Sequence, residues 1–230
     1  MLQQTQTDRV RNKFEEFIAA FPTFRDLANS SVSQVLAQWQ GLGYNRRALA
    51  LQKCAQRVMD EHESTLPRDP EILKTFPGIG KATAASIAAF AFNSPTVFIE
   101  TNIRTVFIHH FFSDSEEVDD REILPLVEQT LDKNNPREWY SALMDYGVML
   151  KQKHGNASVR SRQYRKQSKF EGSDRQVRGN ILKLLLEESS LSSTAITRVL
   201  DQPSARIDKI LKGLEKEGFL ERKKKNYTLK

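Results

Sequence analysis

The stretch Phe76–Ala84, with the sequence FPGIGKATA, decides the fold, because it separates two segments whose apolar residues recur at helical spacing. Pro77 fixes one backbone φ angle, and Gly78 and Gly80 tolerate φ above zero. Backbone N–H groups of such a turn can point outward at the positive end of the helix that begins near Lys81, where they bind a phosphate. In a basic, helical chain this pattern predicts a phosphate-binding helix-hairpin-helix rather than an ordinary turn.

Helical periodicity extends over residues 1–150, while alternating strand patterns are almost absent. We therefore expect an all-α domain of short helices there, ending in a helical pair at 119–131 and 136–150. Residues 151–176 are rich in Lys and Arg and poor in aliphatic side chains. We interpret them as a basic linker, which either contacts phosphates or is only a solvated tether.

Residues 177–230 predict a C-terminal winged helix-turn-helix with a small β-hairpin. Three amphipathic helices are expected at Val177–Glu188, Ser193–Leu200 and Ser204–Glu217, and the alternating segment 218–229 is typical of a hairpin. In this plan the third helix faces the major groove of DNA with its basic residues, which are Arg206, Lys209, Lys212 and Lys216. Its acidic residues weaken the charge argument, so a module used only for protein contacts stays open as the alternative.

The composition limits the function classes. The chain has 230 residues, a formal net charge of +6 and a single cysteine, Cys54. The positive charge favours a polyanionic partner, and one thiol excludes an internal disulfide framework. Because no apolar run approaches the length of a membrane span or a signal peptide, we expect a cytoplasmic protein with no membrane association. We interpret Cys54 as a buried apolar residue rather than a reactive thiol.

Glu100 is the candidate catalytic residue. It follows the apolar run 96–99 and precedes a helix for which Thr101 is a candidate N-cap. The helix dipole alone would explain an acid at this position. Together with a phosphate-binding turn, however, a lone carboxylate at the edge of an apolar pocket suits cleavage of an N-glycosidic bond, because it stabilises the positive charge that builds on the sugar.

With these motifs in this order, residues 1 to about 150 resemble the endonuclease III and adenine DNA glycosylase superfamily, the helix-hairpin-helix base-excision enzymes, and its adenine glycosylase branch above all. The matching segments are Met1–Gln6, Trp39–Tyr44, Pro77–Thr83, Glu100–Arg104 and Met144–Gly147. The resemblance implies a six-helix barrel beside a second helical region. It also implies a partner, double-stranded DNA with a mismatched or damaged base, which is bent in a cleft with the target base flipped out. We expect the protein to act as a monomer, associated with the nucleoid of a prokaryotic cell.

The resemblance also implies roles for individual residues. Gln3 and Gln4 match the residues that probe the gap and the opposite base, and Tyr44 matches the wedge pushed into the base stack. The phosphate is expected to bind at the hairpin through Gly78, Gly80, Lys81 and Thr83, and the other expected DNA contacts are Asn102 and Arg104.

Two departures concern the chemistry. Glu100 stands where the family normally has an Asp, one methylene shorter, and it can do the same electrostatic work. Ala82 stands where bifunctional members carry a Schiff-base lysine, so we expect a monofunctional glycosylase without strong AP-lyase activity.

Other departures concern cofactors. The superfamily's four-cysteine iron-sulfur motif would begin at Lys151, yet no cysteine occurs from there to residue 178, so we expect no cluster and no other cofactor. No metal site is expected either, since the remaining candidates, His109, His110 and His154, lack ligand spacing and suit packing or surface positions.

The ends of the chain differ from the family as well. Adenine glycosylases carry a Glu that protonates the departing base, two residues before the motif that begins here at Met1, and a preceding helix. We therefore expect a core that lacks its N-terminal helix, as in a fragment of a longer chain. The winged helix stands where the family has a domain that senses 8-oxoguanine.

The sequence thus predicts an all-α helix-hairpin-helix core (1–150), a basic linker (151–176) and a winged helix-turn-helix (177–230). The expected function is a monofunctional DNA glycosylase that hydrolyses the N-glycosidic bond of a mispaired or damaged base, above all adenine in an A/G or A/8-oxoguanine mispair. Two alternatives are open: a non-catalytic DNA-binding or regulatory protein on the same scaffold, and a glycosylase for thymine or uracil opposite guanine.

Overall fold

A computed structural model describes all residues, 1–230, and they form two compact units. The first unit combines Met1–Leu66 with Ser168–Lys230, and the second comprises Pro67–Gln167. The helices of the first unit are α1 (Thr7–Ala20), α2 (Phe24–Asn29), α3 (Val32–Trp39), α4 (Arg46–Glu61), α10 (Asp174–Glu188), α11 (Ser193–Leu200) and α12 (Ser204–Glu217). Its strands are β1 (Leu191–Ser192), β2 (Leu220–Lys223) and β3 (Asn226–Leu229). The second unit contains α5 (Pro70–Leu73), α6 (Lys81–Phe92), α7 (Thr101–Phe111), α8 (Asp120–Thr130) and α9 (Pro136–His154).

The winged helix-turn-helix predicted from the C-terminal sequence is present. Helices α11 and α12 have the expected bounds, and strands β2 and β3 form the expected antiparallel hairpin, in which Arg222 pairs with Tyr227. The short strand β1 adds a third member, in the order β1-β3-β2. Sequence periodicity missed β1 because two residues are too few to show alternation.

The C-terminal module shares one hydrophobic core with the N-terminal helices. Leu36 and Trp39 on α3 belong to the same buried cluster as Ile181 on α10, Leu211 on α12 and Phe219 just before β2. Large apolar side chains of both segments are therefore removed from water together, which holds the two ends of the chain in one unit.

The expected linker is partly structured. Helix α9 continues four residues past the expected end and stops at His154, and a 3₁₀ turn covers Ala157–Arg160. Helix α10 starts at Asp174 because the Ser173 hydroxyl caps it by accepting from the N–H of Gln176. The expected boundaries at residues 150 and 176 fall inside these two helices, and the division into three domains stays a prediction.

The second unit is built around α7. Four apolar residues of this helix, Ile103, Val106, Phe107 and Ile108, are buried. The segment before it, which contains the apolar run 96–99, is fixed by Tyr140 of α9: its hydroxyl donates to the carbonyl oxygen of Thr96 (2.8 Å) and accepts from the N–H of Phe98 (3.3 Å). Burial raises the pKa of Tyr140 to about 12, which keeps the donating hydroxyl neutral. This arrangement places Glu100 at the start of α7.

No helix in the chain is both long and apolar enough to cross a membrane.

Candidate active site

The hairpin between α5 and α6 has the predicted form, with one difference in the glycines. Gly78 has a backbone φ of +74°, a value that residues with a side chain rarely adopt. Gly80 instead caps α6 in extended conformation (φ −89°), and a Cβ added there would meet nothing within 4 Å. Gly80 is thus not required by local sterics; it keeps the space in front of α6 open. Lys81 is exposed at the first position of α6, where the N–H groups lack acceptors within the helix.

Glu100 is the N-cap of α7. Its Oε1 atom accepts from the backbone N–H groups of Asn102 (2.5 Å) and Ile103 (2.8 Å). Thr101, the candidate N-cap in the sequence, is instead the first residue of the helix. Both bonds use the same oxygen, so the carboxylate is oriented by the helix while Oε2 makes no hydrogen bond to the chain. The expected capping role and an electrostatic role for Oε2 are therefore compatible.

Helix α9 packs tightly against the first turn of α7. A Cβ added at Gly147 would lie 2.4 Å from the carbonyl oxygen of Asn102 and 2.8 Å from its Cβ, so only glycine permits this approach. One turn later, Lys151 Nζ donates to Asn102 Oδ1 (2.5 Å). Burial lowers the pKa of the Lys151 ammonium, and the nearby charge of Glu100 opposes that shift. Asn102, an expected DNA contact, is half-buried and held by α9.

Arg104, another expected DNA contact, is engaged within the unit. Its guanidinium donates through Nε and Nη2 to the two carboxylate oxygens of Asp120, both at 2.7 Å. The Arg104 side chain is only 12% exposed. The bidentate pair fixes the start of α8 against α7, and a DNA phosphate would have to compete with it.

The segment after α9 closes the other end of α7. Arg160 Nη1 donates to the carbonyl oxygens of Phe112 (2.7 Å), Ser113 (2.9 Å) and Ser115 (2.8 Å). These carbonyls lie just beyond the end of α7, and Arg160 Nη2 also donates to the carbonyl oxygen of Ile108 in the last turn of that helix (3.4 Å). The contact explains why residues expected as linker are ordered around α7.

The three histidines lie together although their spacing in the sequence shows no pattern. The His109 ring lies 4.8 Å from His110 and 5.0 Å from His154, centroid to centroid. His110 also shares a hydrogen bond of 2.7 Å with the hydroxyl of Tyr146. Partial burial, followed by the charges of its neighbours, lowers the pKa of His109. No group of three or more His, Cys, Asp or Glu side chains in the chain is placed to hold a metal ion.

The first unit brings the other expected DNA-contacting residues together around Arg47 of α4. This guanidinium donates to the carbonyl oxygens of Met1 (2.8 Å) and Gln3 (2.5 Å) and, on the other side, to Leu42 (3.2 Å) and Gly43 (3.3 Å). It also donates to the Thr5 hydroxyl (3.0 Å), and its burial lowers its pKa. One half-buried cation thus ties the Gln3–Gln4 segment to the loop before Tyr44.

The loop itself has an unusual backbone. Gly41 and Gly43 have φ angles of +86° and +69°, and Tyr44 has +48°, which is rare for a residue with a side chain. The indole N–H of Trp39 donates to the carbonyl oxygen of Gly43 (3.0 Å). Gln4 also has a positive φ, of 56°, and Gln3 and Gln4 are both exposed.

Two further sequence-derived residues have defined surroundings. Arg206 of α12 pairs with Asp174 of α10 (2.7 Å), so it binds within the module, whereas Lys209, Lys212 and Lys216 are exposed. Cys54 is half-buried, and burial raises the pKa of its thiol to about 11, which agrees with the apolar interpretation and disfavours a reactive thiolate.

Sequence reasoning missed Arg47, Lys151 and Arg160 as organising residues. Their hydrogen-bond partners lie mostly 40 or more positions away, as for Arg47 and Gln3 (44 positions) or Lys151 and Asn102 (49 positions). No local periodicity carries such a signal. Gly147 stood inside a matching motif, and only the packing of α9 on α7 shows why it must be glycine.

Comparison with known proteins identifies the family of this chain. Residues 1–129 match the family model described as HhH-GPD superfamily base excision DNA repair protein. The adenine DNA glycosylase of Mycolicibacterium smegmatis is 30% identical over 243 residues, covering 96% of this chain and 81% of that protein. The match therefore extends into the C-terminal module. The human adenine DNA glycosylase is 34% identical over 154 residues, covering 65% of this chain and 28% of the human protein.

Solved structures show the same fold. A thermostable thymine-DNA glycosylase aligns with a TM-score of 0.58 and 24% identity over 64% of this chain and 70% of its own. A non-covalent complex of endonuclease III with DNA aligns with a TM-score of 0.54 and 20% identity over 66% of this chain and 69% of its own. On the family match and the full-length similarity together, the chain belongs to the HhH-GPD superfamily of base excision DNA repair proteins.

Proposed function

We propose that this protein is an adenine DNA glycosylase of base excision repair, acting on adenine in an A/G or A/8-oxoguanine mispair in double-stranded DNA. The observation that carries the proposal is the Glu100 carboxylate, fixed through Oε1 at the N-terminus of α7 in a chain whose relatives over 96% and 65% of its length are adenine DNA glycosylases. The exposed hairpin at Gly78 and Lys81 suits a DNA phosphate.

Glu100 acts on the sugar of the flipped nucleotide. When the bond between C1′ and the base nitrogen breaks, its electron pair leaves with the base and positive charge develops on the sugar. The carboxylate stabilises that charge more than the neutral ground state, which lowers the barrier. Water then adds to C1′ and loses a proton, and the base takes up a proton as it departs.

The DNA-opening residues belong to the first unit. We assign Tyr44 as the wedge and Gln3 and Gln4 as probes of the opened site. Their support is the arrangement around Arg47, which fixes both backbone segments while leaving Gln3 and Gln4 exposed. Gly78, Gly80, Lys81 and Thr83 hold a phosphate in this proposal. Asn102 and Arg104 act chiefly by shaping the Glu100 site, because Lys151 and Asp120 hold them.

The protein is proposed to work without an iron-sulfur cluster. The donor set does not fit one: Lys151 occupies the expected first position and is bonded to Asn102, and Cys54 is the only thiol of the chain. Arg160, which lies in the region where the cluster motif would stand, is held instead by three carbonyl oxygens of the segment 112–115. A monomeric state and a cytoplasmic, nucleoid-associated location stay predictions.

The decisive experiment measures single-turnover base release on a panel of duplexes that contain A/8-oxoguanine, A/G, T/G or U/G. Glu100→Gln keeps an acceptor for the helix cap but removes the charge, so base release should fall by about 10³-fold with little loss of DNA affinity. Glu122→Gln is the matched control, since Glu122 also accepts from a backbone N–H at a helix start, that of Asp119, the N-cap of α8. Glu100→Asp restores the residue usual in the family and should remain active.

Each outcome decides between functions. Unchanged base release by Glu100→Gln would refute the catalytic assignment. Binding of mismatched DNA without release of any base would favour the non-catalytic DNA-binding alternative, and preferential release from T/G or U/G would favour the thymine or uracil alternative.

The absence of lyase activity is a separate proposal, supported by the methyl side chain of Ala82, which cannot form a Schiff base. After base release, strand cleavage should require added alkali, and borohydride should trap no covalent complex. Trapping of the wild-type chain would contradict it.

A further inference from the structure

The side chain of Tyr44 is held by a residue from the other end of the chain. Arg175, the second residue of α10, donates through Nη1 to the Tyr44 hydroxyl (2.9 Å), and its guanidinium carbon lies 5.2 Å from the centre of the Tyr44 ring. Nη2 of the same guanidinium donates to the carbonyl oxygen of Ser168 (3.1 Å). Arg175 is therefore fixed on its own segment while it grips the tyrosine.

An exposed aromatic ring completes the arrangement. The Arg175 guanidinium carbon also lies 5.4 Å from the centre of the Phe170 ring. The guanidinium thus contacts two aromatic rings, which favours it through cation–π attraction. Phe170 is 55% exposed, and its neighbours in the sequence are mostly charged or polar. A stack of Phe170, Arg175 and Tyr44 thereby joins the C-terminal module to the proposed wedge.

Helix α10 is itself anchored and cannot shift alone. Arg178 donates to Glu217 at the end of α12 (2.6 Å), and Glu217 accepts in turn from Arg46 of α4 (2.6 and 2.8 Å). Hydrophobic side chains of α10, among them Val177 and Ile181, lie in the core shared with the N-terminal helices. Because α10 is anchored in this way, Arg175 holds the Tyr44 side chain from a fixed position.

We propose that Arg175 is a positioning residue for Tyr44, so that the winged helix-turn-helix takes part in opening the DNA by holding the wedge. This inference rests on the wedge role given to Tyr44 under Proposed function. Tyr44 has a left-handed backbone (φ +48°), a conformation that persists only where surrounding contacts fix it. A ring whose rotamer is already fixed loses less side-chain entropy when it enters the base stack.

The test uses the full chain and an A/8-oxoguanine duplex with the fluorescent base 2-aminopurine beside the mispair, whose emission rises on unstacking. Arg175→Ala should slow the fluorescence rise by about tenfold, because the wedge is misplaced. Tyr44→Phe, which removes only the bonded hydroxyl, should slow it less. In a Tyr44→Ala background, Arg175→Ala should have no further effect, since it acts only through the tyrosine.

Arg198→Ala on α11 is the matched control, because it removes one exposed arginine from the same module. A phosphate contact by Arg175 would act differently: the loss would be the same with or without Tyr44, and the salt dependence of binding would fall by about one charge. That result, or wild-type opening by Arg175→Ala, would overturn the inference.

Two further outcomes are separable. If Tyr44→Ala opens DNA at the wild-type rate, the wedge role falls and the inference falls with it. If Tyr44→Ala is impaired and Arg175→Ala is not, only the inference falls. If circular dichroism shows that Arg175→Ala folds poorly, Arg175→Lys replaces it, since this variant keeps the charge but loses the planar group between the rings. DNA opening at the wild-type rate by Arg175→Lys would also overturn the inference.

Discussion

The Glu100 site and the Tyr44 loop are fixed by different means. Glu100 is positioned by backbone groups. Its carboxylate accepts from backbone N–H groups at the start of α7, and α9 approaches that turn so closely that Gly147 cannot carry a Cβ. At Tyr44 the backbone is left-handed and long side chains hold it, chiefly Arg47 and Arg175. In the roles proposed for them, Glu100 needs a position accurate to a fraction of an ångström, whereas Tyr44 must keep its orientation while the DNA around it deforms. Rigid packing suits the first task, and replaceable polar contacts suit the second.

Among the contacts that position these two regions, the closest backbone contact is expected to have the largest effect. Gly147→Ala would place a Cβ 2.4 Å from the carbonyl oxygen of Asn102, so the first turn of α7 must move and carry Glu100 with it. We expect single-turnover base release to fall by about 10²-fold, while affinity for undamaged duplex is unchanged.

Gly179→Ala is the matched control, because a Cβ on this α10 glycine meets nothing within 4 Å. It should raise the free energy of unfolding by up to about 1 kcal/mol and leave base release unaltered. Normal catalysis by Gly147→Ala would show that α9 yields and that the Glu100 site is less rigid than the Tyr44 loop.

A smaller effect is expected from the side-chain contacts of the loop. Arg47→Lys keeps the charge but cannot serve the five acceptors spread over Met1, Gln3, Thr5, Leu42 and Gly43. We expect the preference for mispaired over matched duplex to fall by about tenfold, or about 1.4 kcal/mol, with base release from prebound substrate less affected. Equilibrium binding titrations with mispaired and matched duplexes measure this preference.

Arg57→Lys serves as its control. Arg57 lies on the same helix, α4, and pairs with the exposed Glu61 one turn later (2.6 Å). Exposed pairs contribute about 0–1 kcal/mol, so DNA preference should be retained. An equal loss in both variants would mean that the contacts of Arg47 do not fix the loop.

The smallest effect separates the two regions by pH. The hydrogen bonds from Arg121 hold the pKa of Asp119, the N-cap of α8, at about 2, below its ordinary value of 3.8. This carboxylate therefore contributes stability that is present above pH 3.8 and is lost as the pH falls toward 2. The contacts that Arg47 and Arg175 make to carbonyls and hydroxyls have no acid-titrating partner. Between pH 4 and 2.5, amide exchange protection should decrease in α8 before it decreases in the Tyr44 loop.

The variant Asp119→Asn keeps a good N-cap residue without a titrating carboxyl, so this acid-induced loss of protection in α8 should be smaller. The same loss in that variant would assign the effect to another group.

Much of the fold is visible in the sequence because its causes are local. The hairpin at Pro77–Gly80 is set by proline and by the positive φ of Gly78, and helices α11 and α12 match their predicted bounds because their apolar periodicity and end signals are strong. Glu100 was found for the same reason, since it stands between an apolar run and a helix start. The sequence did not predict how much of the linker is structured, because that depends on hydrogen bonds from Arg160 to carbonyl oxygens of the distant segment 112–115.

The sequence by itself determined the helical class, the turn between α5 and α6, the position of the candidate acid before a helix, the lack of cluster-forming thiols and the winged helix, because each follows from residue types within a few positions of one another. Only the tertiary structure decided that Gly147 must be glycine, that Arg47 joins Gln3 to the Tyr44 loop, and that Arg175 grips Tyr44 from α10. Those contacts join residues 44 to 131 positions apart, and close packing, which no local pattern encodes, brings them within hydrogen-bonding distance.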